Sequence, residues 1–120
     1  MRRFTLLLLL AVAACAPRAI VRHEAGAFAV RDYLKTAYET LAIAETDGDG
    51  HRIRAQLETR AAIDALGELG GPTRRVPYEG PATLAVALEL LEQSEPQMTQ
   101  NVLAQTHVTR ALAELRAALR

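Results

Sequence analysis

Residues 95–119 read EPQMTQNVLAQTHVTRALAELRAAL, and their spacing decides the fold. Met98, Val102, Gln105, Val108, Leu112, Leu115 and Leu119 recur three and four residues apart, close to a heptad seam. Ser94 can cap and Pro96 can occupy the first turn, so a helix is predicted over 96–119. Upstream, Pro81 suits the first turn of another helix reaching Ser94, with Leu84, Leu88 and Leu91 on one face and Val86 and Leu90 broadening it. A further helix is predicted over 51–69. Its apolar positions (Ile53, Leu57, Ala61, Ala65, Leu69) drift around the axis, and Ile63 and Leu66 lie on another side. Such a helix either meets neighbours on more than one face or carries an apolar outer face. Gly70-Gly71-Pro72 stops it. The first helix is predicted over 24–44, where Ala27, Val30, Leu34, Ala37, Leu41 and Ala44 form a clean stripe. Asp47-Gly48-Asp49-Gly50 then breaks the pattern, and Asp47 or Asp49 can cap the helix that follows.

Composition agrees. The 120 residues include 23 Ala and 18 Leu against seven Val and four Ile, and Ala and Leu lead the helix scale. No stretch after residue 15 alternates strictly with β-branched enrichment, so no strand is predicted. The fold class is therefore all-α: a small antiparallel four-helix bundle, expected in up-down-up-down order, with no repeat of the solenoid kind. Basic and acidic residues number 14 each, one cysteine is present and Trp is absent. That balance excludes a strongly basic nucleic-acid binder, an acidic disordered tail and a disulfide-stapled miniprotein.

The N-terminus reads MRRFTLLLLLAVAAC. Arg2 and Arg3 precede an apolar run over 4–14, which is shorter than the roughly 20 residues a bilayer-spanning helix needs. It suits the h-region of a secretory signal. Val12-Ala13-Ala14-Cys15 resembles the lipobox of bacterial lipoproteins, with Val12 where Leu is commoner. The resemblance implies cleavage between Ala14 and Cys15, a diacylglycerol on the Cys15 thiol and an acyl chain on its new amine. It covers the export segment alone. Two or more acyl chains give stable anchoring where one does not. Ala16 rather than Asp implies, by resemblance to Gram-negative lipoproteins, passage to the outer membrane, facing the periplasm. An alternative cut at Ala11-Val12-Ala13 would leave a soluble secreted chain with Cys15 near its start.

These readings give residues 1–14 as signal peptide, 15–23 as lipidated cysteine and short tether, and 24–120 as the helical domain. Cleavage removes Arg2 and Arg3, leaving twelve basic groups against fourteen acidic ones. Nothing in that charge draws nucleic acid. The eight-residue tether after Cys15 reaches at most about 28 Å, which keeps the domain near the membrane.

Candidate chemistry is sparse. An EF-hand loop needs oxygens at positions 1, 3 and 5, Gly at 6 and Glu at 12. Started at Glu45, the loop has Asp47, Asp49 and Gly50 in place but ends on Gln56; started at Asp47, it ends on Glu58 but has Arg52 where Gly belongs. A weak divalent site at Asp47, Asp49 and His51 is the residual candidate, and a capped turn is the plainer reading. His23, His51 and His107 show no i, i+4 pairing. Met98 and His107 share one helix, which does not suit haem, and no C-x-x-C-H is present. Ser94 is the only serine, and no nucleophile elbow, P-loop or dinucleotide fingerprint occurs. No enzyme activity and no cofactor beyond the lipid on Cys15 are expected.

Two features suggest a partner surface. Arg74, Arg75 and Tyr78 sit in a Pro-braced loop over 70–80, which otherwise reads as a plain crossover. Gln97, Gln100 and Asn101 open an uncharged Gln/Asn/Thr stretch that runs to Thr109. Its plainer reading is a solvated face or a polar layer fixing register. The expected function is a membrane-anchored periplasmic lipoprotein, contacting the bilayer through Cys15 and serving as accessory or scaffolding subunit to an envelope protein. The alternative is a periplasmic helical module binding a ligand or divalent metal.

Overall fold

The computed structural model describes residues 28–67 and 73–120. Among these residues four helices form: α1 (Val30–Ile43), α2 (His51–Leu66), α3 (Leu84–Ser94) and α4 (Val102–Ala118). A 3-10 turn, Glu95–Met98, joins α3 to α4. Among the described residues there is no strand, and no helix is long and apolar enough to cross a membrane. The predicted all-α four-helix bundle is what the chain forms. Helix α1 starts at Val30 rather than at 24, and α4 at Val102 rather than at 96, where the Pro96 region makes the 3-10 turn; residues 24–27 and 68–69 of the expected helices lie outside the described residues.

Each helix start has a local cause. Asn101 Oδ1 accepts from Ala104 N at 3.0 Å, and Thr83 Oγ1 accepts from Val86 N at 3.2 Å, so both residues are N-caps. The Asp32 carboxylate reaches back to Ala29 N at 2.9 Å and satisfies a first-turn donor of α1. Gly50, not an aspartate, occupies the cap position of α2; Asp47 acts one turn earlier by accepting from Gly50 N at 2.9 Å.

The core is built from Leu34, Leu41, Leu90, Leu91, Leu112 and Leu115, all fully buried. Alanines with no exposed surface (Ala37, Ala55, Ala62, Ala87, Ala104 and Ala111) let the helix backbones approach closely. On α2 the buried residues are Ala55, Thr59 and Ala62, while Ile53 and Leu57 point to solvent. The expected stripe through Ile53 and Leu57 is thus the outer face of α2.

Connectivity departs from up-down-up-down. Helix α1 packs on α2 and α3, and α4 packs on the same two, which leaves α2 and α3 on one diagonal. The α1–α2 turn, the start of α3 and the end of α4 share one end of the bundle: a Cβ placed on Gly48 would lie 2.8 Å from Ala118 Cβ and 3.6 Å from Leu84 Cδ1. At the other end Asn101 Nδ2 donates to Ala65 O at 3.4 Å. Helices α2 and α3 therefore run the same way, and the chain must travel the length of the bundle between them.

It does so along α1. Arg74 N donates to Asp32 Oδ1 at 2.8 Å, Val76 N donates to Thr36 Oγ1 at 2.9 Å, and Tyr78 Oη lies 3.5 Å from Thr40 Oγ1. Asp32, Thr36 and Thr40 are buried polar residues at i, i+4 spacing on one face of α1. Four helical residues rise about 6.0 Å, and two extended residues advance about 6.6 Å. Every second residue of 74–78 therefore meets the next turn of α1. Val76 is fully buried between the exposed Arg75 and Pro77. Asp32 and Thr36, buried polar side chains that would be a liability in an apolar core, are thus partnered by backbone N–H groups that would otherwise lack partners, while Thr40 donates to Thr36 O and meets the Tyr78 hydroxyl.

Candidate functional site

The sequence-predicted residues do not assemble into one site. Ala14 and Cys15 lie outside the described residues. Asp47 is committed to Gly50 N and stands 3.8 Å from Arg52 Nε. Asp49 holds a left-handed backbone, φ 56°, and its carbonyl accepts from Arg54 Nη2 at 3.4 Å. His51 turns toward α4 instead. Among the described residues no three metal-ligating side chains come together. The DGDG segment is a capped turn, and Arg52, in the first turn of the helix that follows it, donates from Nη1 to Leu41 O at 2.9 Å and so closes the end of α1.

Arg74, Arg75 and Tyr78 brace the crossover. The Arg74 guanidinium lies 4.6 Å from the Phe28 ring centre, and that of Arg75 lies 5.8 Å from the Tyr78 ring centre. Arg75 also stands 3.8 Å from the Glu39 carboxylate. Asn101 is held by its capping bond and by Ala65 O. Gln97 and Gln100 are exposed, and Gln97 Nε2 donates to Gln93 O at 3.1 Å.

The residues that do converge lie on α2 and α4. His51 Nδ1 is 2.5 Å from Glu114 Oε2, and His107 Nδ1 is 2.7 Å from Glu58 Oε2. The pairs are reciprocal: α2 gives His then Glu, and antiparallel α4 gives His then Glu. Arg54 Nε adds a 3.1 Å bond to Glu114. Underlying this is a repeat. Residues 51–62, HRIRAQLETRAA, match residues 107–118, HVTRALAELRAA, at seven of twelve positions, including His51/His107, Arg54/Arg110, Ala55/Ala111 and Glu58/Glu114. The two segments pack antiparallel about an approximate two-fold axis, and Ala55 and Ala111, both without exposed surface, stand at its centre.

On the solvent side of that axis lies an open groove of about 310 Å³. Its walls are matched triplets, Arg54, Leu57 and Glu58 facing Arg110, Ala113 and Glu114. Leu57 is 64% exposed and Ile53, one turn away, is 46% exposed. The open shape and large apolar side chains at the rim suit a protein surface better than an enclosed small molecule.

The His51 hydrogen bond holds the Glu114 carboxyl below the usual carboxylate range; burial opposes this, and Arg54 adds to the lowering. A carboxyl lowered on folding contributes stability above its unfolded pKa, and that contribution is lost as pH falls through the folded value. The Glu114→Gln chain should therefore lose about 0.5–1 kcal/mol at pH 7, the range for partly exposed pairs, and the deficit should shrink below about pH 4. Urea melts of both chains at pH 7 and pH 3.5 check this; an equal deficit at both would contradict it.

Comparison with known protein families, with curated proteins and with solved structures finds no match to this chain.

Proposed function

We propose that the protein is a lipid-anchored accessory subunit of the bacterial envelope, docking a partner protein through the α2–α4 face. The carrying observation is the orientation of α2, which buries Ala55, Thr59 and Ala62 and turns Ile53 and Leu57 to solvent. Exposed large apolar side chains beside a groove with arginines on both walls have the composition of an interface core. The anchor is supported by Val12-Ala13-Ala14-Cys15. It places the domain at the periplasmic face, more fittingly of the outer membrane given Ala16. The crossover arginines, engaged with Phe28, Tyr78 and Glu39, are a weaker docking candidate than this face.

Crosslinking of the tagged full chain in its native membrane, followed by capture in mild detergent, tests the reading. Arg in place of Ile53 and Leu57 should remove a discrete envelope partner while shifting stability by no more than about 0.5 kcal/mol, as at other exposed positions. The Arg74→Glu, Arg75→Glu chain should keep the partner. Cys15→Ser should move the protein out of the membrane fraction. A partner set unchanged by the apolar-to-Arg changes would sink the docking face, and a membrane-bound Cys15→Ser chain would sink the anchor.

A further inference from the structure

We propose that the α2–α4 seam is a two-point, pH-sensitive clasp, tightened when His51 and His107 carry a second proton. The inference rests on placement. Both imidazoles contact a carboxylate of the opposite helix through Nδ1, at 2.5 Å and 2.7 Å. Both lie on one seam, a heptad apart, at equivalent positions of the repeat. Both are partly buried, with 27% and 20% of the side chain exposed, so solvent reaches them while the contact stays partly shielded. A neutral imidazole gives its carboxylate a hydrogen bond; an imidazolium gives it a hydrogen bond and an opposite charge. Protonation therefore strengthens the seam at two points, and imidazoles exchange that proton between about pH 5 and 8.

The surroundings make the two points unequal. His51 faces Glu114 from α4, has Asp47 and Asp49 in the adjoining turn, and has Arg54 Nη2 3.1 Å from its Nδ1. That guanidinium opposes a second positive charge. His107 faces Glu58 from α2 and has Arg110 one turn along its own helix. On the other side of α4, Glu92 and Glu95 are engaged by Arg116 and Thr109. His107–Glu58 should carry the larger share. The same protons also change the groove. Its walls hold two arginines and two glutamates, so with both imidazoles charged the seam carries a net +2, and with both neutral it carries none. Tightening and a more cationic face occur together as pH falls.

The test uses the full chain in mild detergent. Two partly exposed ion pairs in a domain this size should make the melting temperature about 4 °C higher at pH 5.5 than at pH 7.5. His51→Gln with His107→Gln should remove that difference, Glu58→Gln with Glu114→Gln should remove it too, and His23→Gln should keep it. If the paired variants fail to fold, amide exchange on the unaltered chain decides. After correction for intrinsic rates, α2 and α4 should gain protection at pH 5.5 relative to α1 and α3. A wild-type melting temperature equal at both pH values, a difference that survives the double histidine change, or protection of α2 and α4 that does not rise would each overturn the proposal.

Discussion

The Asp32→Ala chain should be about 3 kcal/mol less stable than wild type and should release residues 74–78 from α1. Asp32 is 3% exposed, and each of its oxygens accepts from a backbone N–H, Ala29 at 2.9 Å and Arg74 at 2.8 Å. A bond to a charged acceptor contributes about 1.5–3 kcal/mol, and loss of a first-turn cap about 1 kcal/mol. The truncation also leaves two donors without their acceptor at a part-buried site, where an unsatisfied group costs up to about 1–3 kcal/mol. These overlap, so their sum overstates the effect, and about 3 kcal/mol is the central figure. Denaturant melts give the stability, and limited proteolysis reads the crossover, since Arg74 and Arg75 are tryptic sites held against the helix in the native chain. Cleavage after Arg74 or Arg75 at the wild-type rate, with a loss under about 1 kcal/mol, would show that the crossover is held by other means.

The Gly48→Ala chain should lose about 2–4 kcal/mol. Gly48 has φ +63°, where a Cβ meets its own backbone, at a cost of about 1–2 kcal/mol for an L residue. Ala118 Cβ would also stand 2.8 Å from the new methyl, closer than carbon atoms pack. The turn and the end of α4 must therefore separate. Gly80 has a similar φ of +86° but nothing within 4 Å of a Cβ, so Gly80→Ala isolates the backbone share and should cost only about 1–2 kcal/mol. Equal losses at the two glycines would remove the steric contact with Ala118 from the account.

Much of the fold is legible in the sequence because helical periodicity is local. The stripe from Leu34 to Leu41 and the seam residues Met98, Val108, Leu112 and Leu115 need no partner to be read and are buried, whereas Val102, at the first position of α4, stands 72% exposed. The connection order is not local. Nothing between 67 and 83 announces that its backbone will bond to Asp32 and Thr36, because a lone Asp and Thr in a helix read as solvated or tolerated residues until their partner is known. The α2 stripe misled for a related reason. Ile53 and Leu57 outweigh Ala55 and Ala62 in any hydrophobic count, yet at a tight crossing the small residues win the interior. The face on α2 and α4 did leave a signal, H-x-x-R-A-x-x-E at 51–58 and again at 107–114. A search for periods of 20–50 residues passes over a 56-residue spacing confined to the second helix of each pair. Without the antiparallel pairing, two histidines 56 residues apart have no visible connection to each other's glutamates.

Loops are where chains usually gain and lose residues, yet the run alongside α1 is phased to a helix. Its donors, at Arg74 and Val76, fall on successive turns of α1, and Val76 is buried between two exposed neighbours. One residue added between Arg74 and Val76 would carry Val76 to the outside and slide a backbone carbonyl toward the Thr36 hydroxyl, and one added after Val76 would turn Tyr78 away from Thr40. Insertions and deletions in this crossover should therefore be tolerated only before Arg74 and after Tyr78. The five residues between them should tolerate changes of side chain far better than a change in their number.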